Sequence, residues 1–289
     1  MPQELKDKYH FVLDGISQIP ALPSIVSHIV GILNSPRSGA DDVAKYLEMD
    51  VGLSSKVLRL ANSAYYGIPG RITSVQRAVI QLGFNAVSSI VISASVYNLF
   101  RSSSGVHALE RDHFWRHSIE VALYSRVLAG QMHGRVDAEI AFTIGLLHDI
   151  GVLALDTSYP REFAEVLEMA RSAAQSLEET ETLFFGMNHI RIGMHILDRW
   201  GIPDVIYAPM QGLEELAPEL FYRDSLVLAL AHAMAYSRGV VLYPHQIADS
   251  VDPLSICNEL GVSFSLESMS RLFEQEIQRA DFVLNLLQS

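Results

Sequence analysis

The residues best suited to chemistry in this chain of 289 residues are histidines, and one of them directly precedes an aspartate. His148 and Asp149 lie in the apolar run 145–151 (GLLHDIG), where burying an imidazole and a carboxylate is costly unless both find partners. A divalent metal satisfies both groups, because neutral imidazole donates nitrogen and the carboxylate donates oxygen. The structural alternative is that Asp149 caps the next helix and His148 bonds a backbone carbonyl.

Further histidines occur where a metal site would use them. His113 and His117 are four residues apart, so that they share one face of a helix. His189 follows the His-Asp pair by about forty residues. Several histidines on successive helices, one of them beside a buried carboxylate, are what a metal site in a helical bundle requires.

The elements that position these residues are predicted to be helices. Apolar residues recur at spacings of three and four along most of the chain, and Gly, Pro or Asp bounds each segment. We find no strand alternation of useful length and no repeat of fixed period, so the predicted fold class is all-α.

The helices are expected to form two subdomains joined at the linker 101–105 (RSSSG). We predict an N-terminal helical subdomain over residues 1–101, a helical bundle over 102–240 and a C-terminal helical extension over 241–289. The extension contains an apolar stripe within about 266–287, which either covers the second bundle or forms a dimer surface.

Composition and charge exclude several classes of protein. Hydrophobic residues make up 49% and charged residues 19%, which is typical of a globular chain. The single cysteine, Cys257, excludes a disulfide framework and a cysteine-based zinc cluster. Residues 1–100 carry 8 basic and 7 acidic residues, and the remainder carries 13 and 26. The acidic remainder repels phosphate backbones, so nucleic-acid binding is not favoured.

One segment had to be tested as a membrane span. Residues 78–100 carry no charged side chain and are long enough to cross a bilayer. They also contain Gln81, Asn85, Asn98 and a break at Gly83, which favour a turn followed by a buried helix. The N-terminus has no apolar signal region, so we expect a cytoplasmic protein without membrane attachment.

Several motifs occur in order along the chain. They are residues 50–67 (DVGLSSKVLRLANSAYYG), 72–83 (ITSVQRAVIQLG), 114–118 (FWRHS), 145–151, 186–189 (GMNH) and 199–203 (RWGIP). Together they resemble the HDOD domain, a branch of the HD superfamily of metal-dependent phosphohydrolases, over about residues 14–210. The resemblance implies two helical subdomains, the second an HD-like bundle, and a regulatory role in bacterial signal transduction.

The resemblance also implies a set of metal ligands. His117 matches the first HD ligand, His148 with Asp149 matches the central pair, and His189 matches a histidine of two-metal variants. The chain departs from the pattern in two places. Residues 208–212 (APMQG) stand where many relatives carry a His-His pair, and His232 stands where a late aspartate is expected.

These departures bear on the metal and on the reaction. A site rich in histidine with one carboxylate suits a single zinc, iron or nickel ion better than magnesium. The lost oxygen donor argues against efficient two-metal hydrolysis, so no residue is assigned a catalytic role.

Two functions therefore remain open. The first is a regulatory HDOD module that acts through protein partners in a signalling pathway, as a monomer or a homodimer. The alternative is a metal-dependent phosphohydrolase for a nucleotide or phosphoester, with Arg116 and Arg191 as weak candidates for phosphate contacts. Neighbours on a helix point about 100° apart, so both arginines can equally face solvent.

Overall fold

The computed structural model of the protein describes residues 3–33, 39–63, 66–101, 107–214, 221–242, 253–260, 274, 280–285 and 287. Regular structure in this part of the chain is helical throughout, which confirms the predicted fold class. Residues 102–106, and with them most of the predicted linker, lie outside the described residues.

Among the described residues before 102 there are six helices. They are α1 (Gln3–Ile16), α2 (Ser24–Leu33), α3 (Ala40–Leu47), α4 (Val51–Ala61), α5 (Val75–Leu82) and α6 (Phe84–Arg101). Helices α2 to α6 pack on one another, whereas α1 packs on helices from the second half of the chain.

The second half holds the larger group of helices. They are α7 (Arg111–Gln131), α8 (Ala138–Leu147), α9 (Ile150–Ser158), α10 (Pro160–Ala173), α11 (Leu177–Phe185), α12 (His189–Arg199), α13 (Asp204–Tyr207), a 3₁₀ helix (Ala208–Leu213), α14 (Tyr222–Ser237) and α15 (Pro253–Leu260). Helix α7 packs on α8 and α14, and α12 packs on α9. The subdomain limits at residues 101 and 240 stay predictions.

The uncharged run 78–100 is interrupted where the sequence predicts a break. Gly83 has φ +86°, a left-handed conformation that glycine adopts without steric cost, and it separates α5 from α6. The two helix axes are bent by 118°. The stretch Ala138–Ser158, formed by α8 and α9, is also long and apolar enough to span a membrane, but 83% of its window is buried inside the protein.

Two glycines allow the helices of the second half to approach closely. A Cβ atom on Gly145 would lie 2.7 Å from Cα of Ala122, at the crossing of α8 and α7. A Cβ atom on Gly151 would lie 1.9 Å from the carbonyl oxygen of His189, at the crossing of α9 and α12. These contacts place the ends of α8 and α9 beside α7 and α12.

The described end of the C-terminal extension packs on both halves of the chain. Ala280, Val283 and Leu287 are buried. The ammonium of Lys56 on α4 donates to the carbonyl oxygen of Leu287 at 2.8 Å, and Asp281 lies 3.3 Å from the Arg116 guanidinium on α7. Leu284 of the predicted stripe is partly buried against the core, whereas residues 266–273, 275–279 and 286 lie outside the described residues.

The crossing of α9 and α12 gives a first prediction. Gly151→Ala should lower the free energy of unfolding by about 3 kcal/mol, because a methyl group there overlaps a backbone carbonyl that cannot move without separating the helices. Gly130→Ala is the matched control, since a Cβ atom on that helical glycine of α7 meets nothing within 4 Å. The control should be neutral or slightly stabilising. Urea denaturation measures both, and equal stability of the two variants would contradict the close crossing.

Candidate metal centre

Three imidazoles and one carboxylate meet in the middle of the second bundle. His117 lies on α7, His148 ends α8, Asp149 precedes α9 and His232 lies on α14. One potential ligand atom from each residue lies within 4.8 Å of those from the other three. All four side chains are buried, and the most exposed of them, His232, is only 9% accessible.

Backbone carbonyls orient two of the imidazoles. Nδ1 of His117 lies 2.9 Å from the carbonyl oxygen of Val240, and Nδ1 of His148 lies 2.7 Å from that of Gly145. A carbonyl can only accept a hydrogen bond, so each Nδ1 carries the proton. In the neutral ring this leaves Nε2 with a free lone pair, the arrangement that second-sphere partners produce in metal-ligating histidines.

Both Nε2 atoms lie close to the same oxygen of Asp149. Oδ2 lies 3.0 Å from Nε2 of His148 and 3.4 Å from Nε2 of His117. Within the described residues, none of these three buried atoms makes a hydrogen bond. Three acceptors facing one another repel unless a cation lies among them. The residues present therefore fit a metal ion.

His232 completes the cluster as a neutral ring. Its ring centroid lies 5.3 Å from those of both His117 and His148, and those two rings are also 5.3 Å apart. Burial and the two neighbouring imidazoles lower the pKa of His232 to about 3. The ring is therefore uncharged at neutral pH and has a nitrogen lone pair to offer.

Asp149 is the anionic member of the cluster. Burial acts to raise its pKa, but the adjacent imidazole of His148 and then the approach of His117 lower that pKa well below the usual value. Asp149 precedes α9 without capping it, because its side chain accepts no hydrogen bond from the first turn. The structural alternative thus accounts for Nδ1 of His148, which donates to a backbone carbonyl, but not for the buried carboxylate of Asp149.

His189 approaches the opposite oxygen of Asp149 and lies outside the four-residue cluster. Its Nε2 is 3.5 Å from Oδ1 of Asp149 and 3.8 Å from Oε1 of Glu178. Asn188 caps α12, so that His189 occupies the first helical position. Its backbone N–H and its Nδ1 both donate to Oε2 of Glu181, at 2.8 and 2.6 Å.

The fully buried carboxylate of Glu181 sets the charge of His189. Burial disfavours an imidazolium, but Glu181 and then Asp149 outweigh it and raise the pKa of His189 to about 10. The sequence motifs did not assign this role to Glu181. A signal was present, because Glu181 falls four residues after Leu177 and four before Phe185, on the buried stripe of α11.

The remaining candidates lie at the surface. Arg116 pairs with Glu120 and Asp281, and its side chain is 43% exposed. Arg191 donates from Nε to both oxygens of Glu214, at 3.0 Å each. His113 is 58% exposed beside Glu110, so the spacing of four brings only His117 into the bundle.

The cleft beside His189 is acidic. It encloses about 590 Å³, and Glu178, Glu179 and Glu214 contribute to its lining together with Asn188. Its carboxylates attract cations and repel phosphate oxygens.

The HDOD domain model of protein families matches residues 19–215. The chain belongs to the HDOD domain family. This match confirms the resemblance to the HDOD domain that the sequence motifs indicate over about residues 14–210. An HDOD domain protein of unknown function from Geobacter sulfurreducens is 25% identical and superposes over 98% of this chain and 97% of its own, with a TM-score of 0.78.

Two other relatives extend the comparison. A candidate phosphohydrolase from Shewanella amazonensis SB2B is 24% identical, with a TM-score of 0.74 over 95% of this chain and 97% of its own. At that identity the likeness concerns the fold. An uncharacterized protein of Treponema pallidum (strain Nichols) is 23% identical over 195 residues, which is 68% of this HDOD chain and only 37% of that protein.

The Glu181–His189 pair gives a second prediction. Glu181→Gln should lower the free energy of unfolding by about 2 kcal/mol, because a buried histidine loses a charge-assisted bond and the amide cannot accept from both N–H groups equally well. Glu179→Gln on the same helix is the control, since its side chain is exposed and the change should stay within about 0.5 kcal/mol. Chemical denaturation of both variants tests this, and equal losses would argue against a special role for Glu181.

Proposed function

We propose that this HDOD protein is a bacterial, cytoplasmic regulatory module in which one buried metal ion fixes the second helical bundle. In this proposal the protein acts in signal transduction through protein partners. The observation that supports the metal's structural role is the closed set of four donors, His117, His148, Asp149 and His232, none more than 9% exposed. Structural metal sites in proteins use four protein ligands, whereas catalytic metal sites leave one coordination position for water or substrate.

The donor set favours a transition metal. Three nitrogens and one oxygen suit zinc, iron or nickel, and the single carboxylate makes magnesium a poor match. When bound, such an ion supplies the positive charge that the three facing acceptors lack, and Lewis-acid polarisation to any substrate that reaches it.

Features around the cluster disfavour hydrolysis. The position expected for a late aspartate holds His232, so the cluster lacks a second carboxylate to share between two metal ions. The cleft beside His189 is lined by several glutamates, and Arg116 and Arg191 each pair with a carboxylate. The two arginines considered for phosphate contacts are therefore already engaged by carboxylates among the described residues.

A metal-dependent phosphohydrolase is the second candidate. It is supported by the shared fold with the candidate phosphohydrolase of Shewanella amazonensis and by the convergence of His117, His148 and Asp149. Under this alternative, the His-Asp pair would hold the metal and His189 would steady Asp149 from its other oxygen.

Metal content provides the third prediction. The protein purified without chelator or affinity tag should carry about one equivalent of zinc, iron or nickel by elemental analysis. The double variant His148→Ala, Asp149→Ala should retain less than about a tenth of it, since two of four ligands are lost. His113→Ala is the control, because this exposed histidine lies one helical turn before His117. It should keep the full content.

Removing the metal with a chelator should also lower the thermal stability of the protein. Removing the metal from the wild-type protein should lower Tm by roughly 6 °C or more, as loss of a ligand present at about a hundred times its Kd costs about 2.7 kcal/mol. A wild-type protein that stays free of metal after reconstitution, with an unchanged Tm, would exclude the metal site.

Turnover distinguishes the two functions and gives the fourth prediction. The metal-loaded protein should hydrolyse p-nitrophenyl phosphate and bis-p-nitrophenyl phosphate at less than roughly 10⁻³ per second, against 1–10³ per second for typical enzymes. Faster hydrolysis that disappears in the His148→Ala, Asp149→Ala variant and persists in His113→Ala would replace the regulatory proposal by the hydrolase.

A further inference from the structure

A segment of the first half of the chain contains no carboxylate. Residues 51–109 include five Lys or Arg residues and neither Asp nor Glu, although the whole chain has 33 acidic and 21 basic residues. This segment spans α4, α5 and α6. Because no side-chain carboxylate within it offsets its cations, it contributes only positive side-chain charge to an otherwise acidic protein.

A cleft opens on this segment, between α4 and residues 70–73. It encloses about 820 Å³, within the range of small-molecule sites. Its lining includes two arginines from different elements, Arg59 and Arg71, together with Ser54, Ser55 and Thr73. None of the described residues that line it is acidic.

The loop that carries Arg71 is held in place by one amide. Asn62, directly after α4, accepts the backbone N–H of Ile72 on Oδ1 at 2.7 Å and donates from Nδ2 to the carbonyl oxygen of Ile72 at 2.7 Å. The side chain of Ile72 is buried. Arg71 and Thr73, on either side of Ile72 in the sequence, both line the cleft.

A further cation lies on the same helix as Arg59. Lys56, one turn before Arg59 on α4, is buried, and its pKa is lowered by burial and then by the charges of Arg59 and Arg101. The carboxylate nearest along the chain, Asp50, precedes α4 and caps it by accepting the N–H of Leu53 at 2.9 Å. The cleft therefore faces a concentration of positive charge.

We propose that this cleft binds a small phosphate-bearing ligand of nucleotide size. Guanidinium groups bind phosphate oxygens through paired, charge-assisted hydrogen bonds, and the hydroxyl groups of Ser55 and Thr73 supply further donors. Leu58 adds apolar surface for the remainder of the ligand. The proposal uses no residue of the metal cluster and goes beyond the proposed function.

A polynucleotide fits less well than a small ligand. Residues 101–289 carry an excess of 13 acidic residues, which repels a long chain of phosphates but acts weakly on a compact ligand held within the cleft. Oligonucleotide binding is therefore an outcome that counts against the proposal.

Fluorescence anisotropy with N-methylanthraniloyl-ADP provides the fifth prediction. The wild-type protein should bind this probe, and inorganic pyrophosphate should displace it. Arg71→Ala should weaken binding about tenfold or more, and Arg71→Lys should restore only part of the loss. Arg77→Ala is the matched control, because it removes the same charge from α5 of the same half of the chain at a residue outside the cleft lining. It should weaken binding less than about twofold.

Several results would overturn the proposal. These are absence of probe binding at millimolar concentration, equal weakening by Arg71→Ala and Arg77→Ala, and displacement by adenosine but not by pyrophosphate. Tighter binding of a single-stranded oligonucleotide than of the probe at 0.15 M salt would assign the surface to nucleic acid instead. Arg71 is exposed, so its variants should keep the wild-type Tm, which circular dichroism checks. Metal content is measured in a separate experiment. A negative result in the ligand-binding assay would therefore not contradict the proposed metal site.

Discussion

The buried carboxylate of Asp149 is the constraint on which the second bundle depends. A charge removed from water is tolerated only where compensating charge or hydrogen bonds surround it. Here His117, His148 and His232 surround one side, and His189 approaches the other oxygen. The imidazoles come from four different helices, so the requirement to satisfy one carboxylate brings α7, α8, α12 and α14 to a common centre.

The backbone makes this convergence possible. Glycines at 145 and 151 let α8 approach α7 and α9 approach α12 at distances that a side chain would forbid. Carbonyl groups and Glu181 then fix the rings of His117, His148 and His189 in single orientations. Packing and electrostatics therefore support the same arrangement, which is rigid and enclosed. Such a site is better suited to holding a bundle together than to admitting a substrate.

The charge of the protein is divided between its two halves in a way that suits a regulatory module. The second half is acidic and contains the buried cluster, whereas residues 51–109 carry only positive charges. The C-terminal extension joins them, since Leu287 accepts from Lys56 on α4 and Asp281 pairs with Arg116 on α7. The C-terminal extension thus contacts the same helix, α4, that lines the proposed ligand cleft.

The helical class, the break at Gly83 and the HDOD family can be predicted from the sequence alone, and so can four of the five candidate ligands that meet in one cluster, His117, His148, Asp149 and His232. These follow from local periodicity, from the conformational freedom of glycine and from a series of motifs in fixed order, all of which can be read without knowing where helices cross. The structure brings those four side chains together, although their role as ligands stays a prediction.

Which polar residues face the cluster depends on how the helices pack. His113 shares a helical face with His117 but lies exposed near the start of α7, and Arg116 and Arg191 each pair with a carboxylate outside the cluster. Glu181 is eight residues from His189 along the chain and meets it because α11 turns back onto α12. The spacing of residues along one helix determines on which face a side chain lies. Which residue it meets there depends on how separate helices pack, and no local sequence pattern encodes that packing.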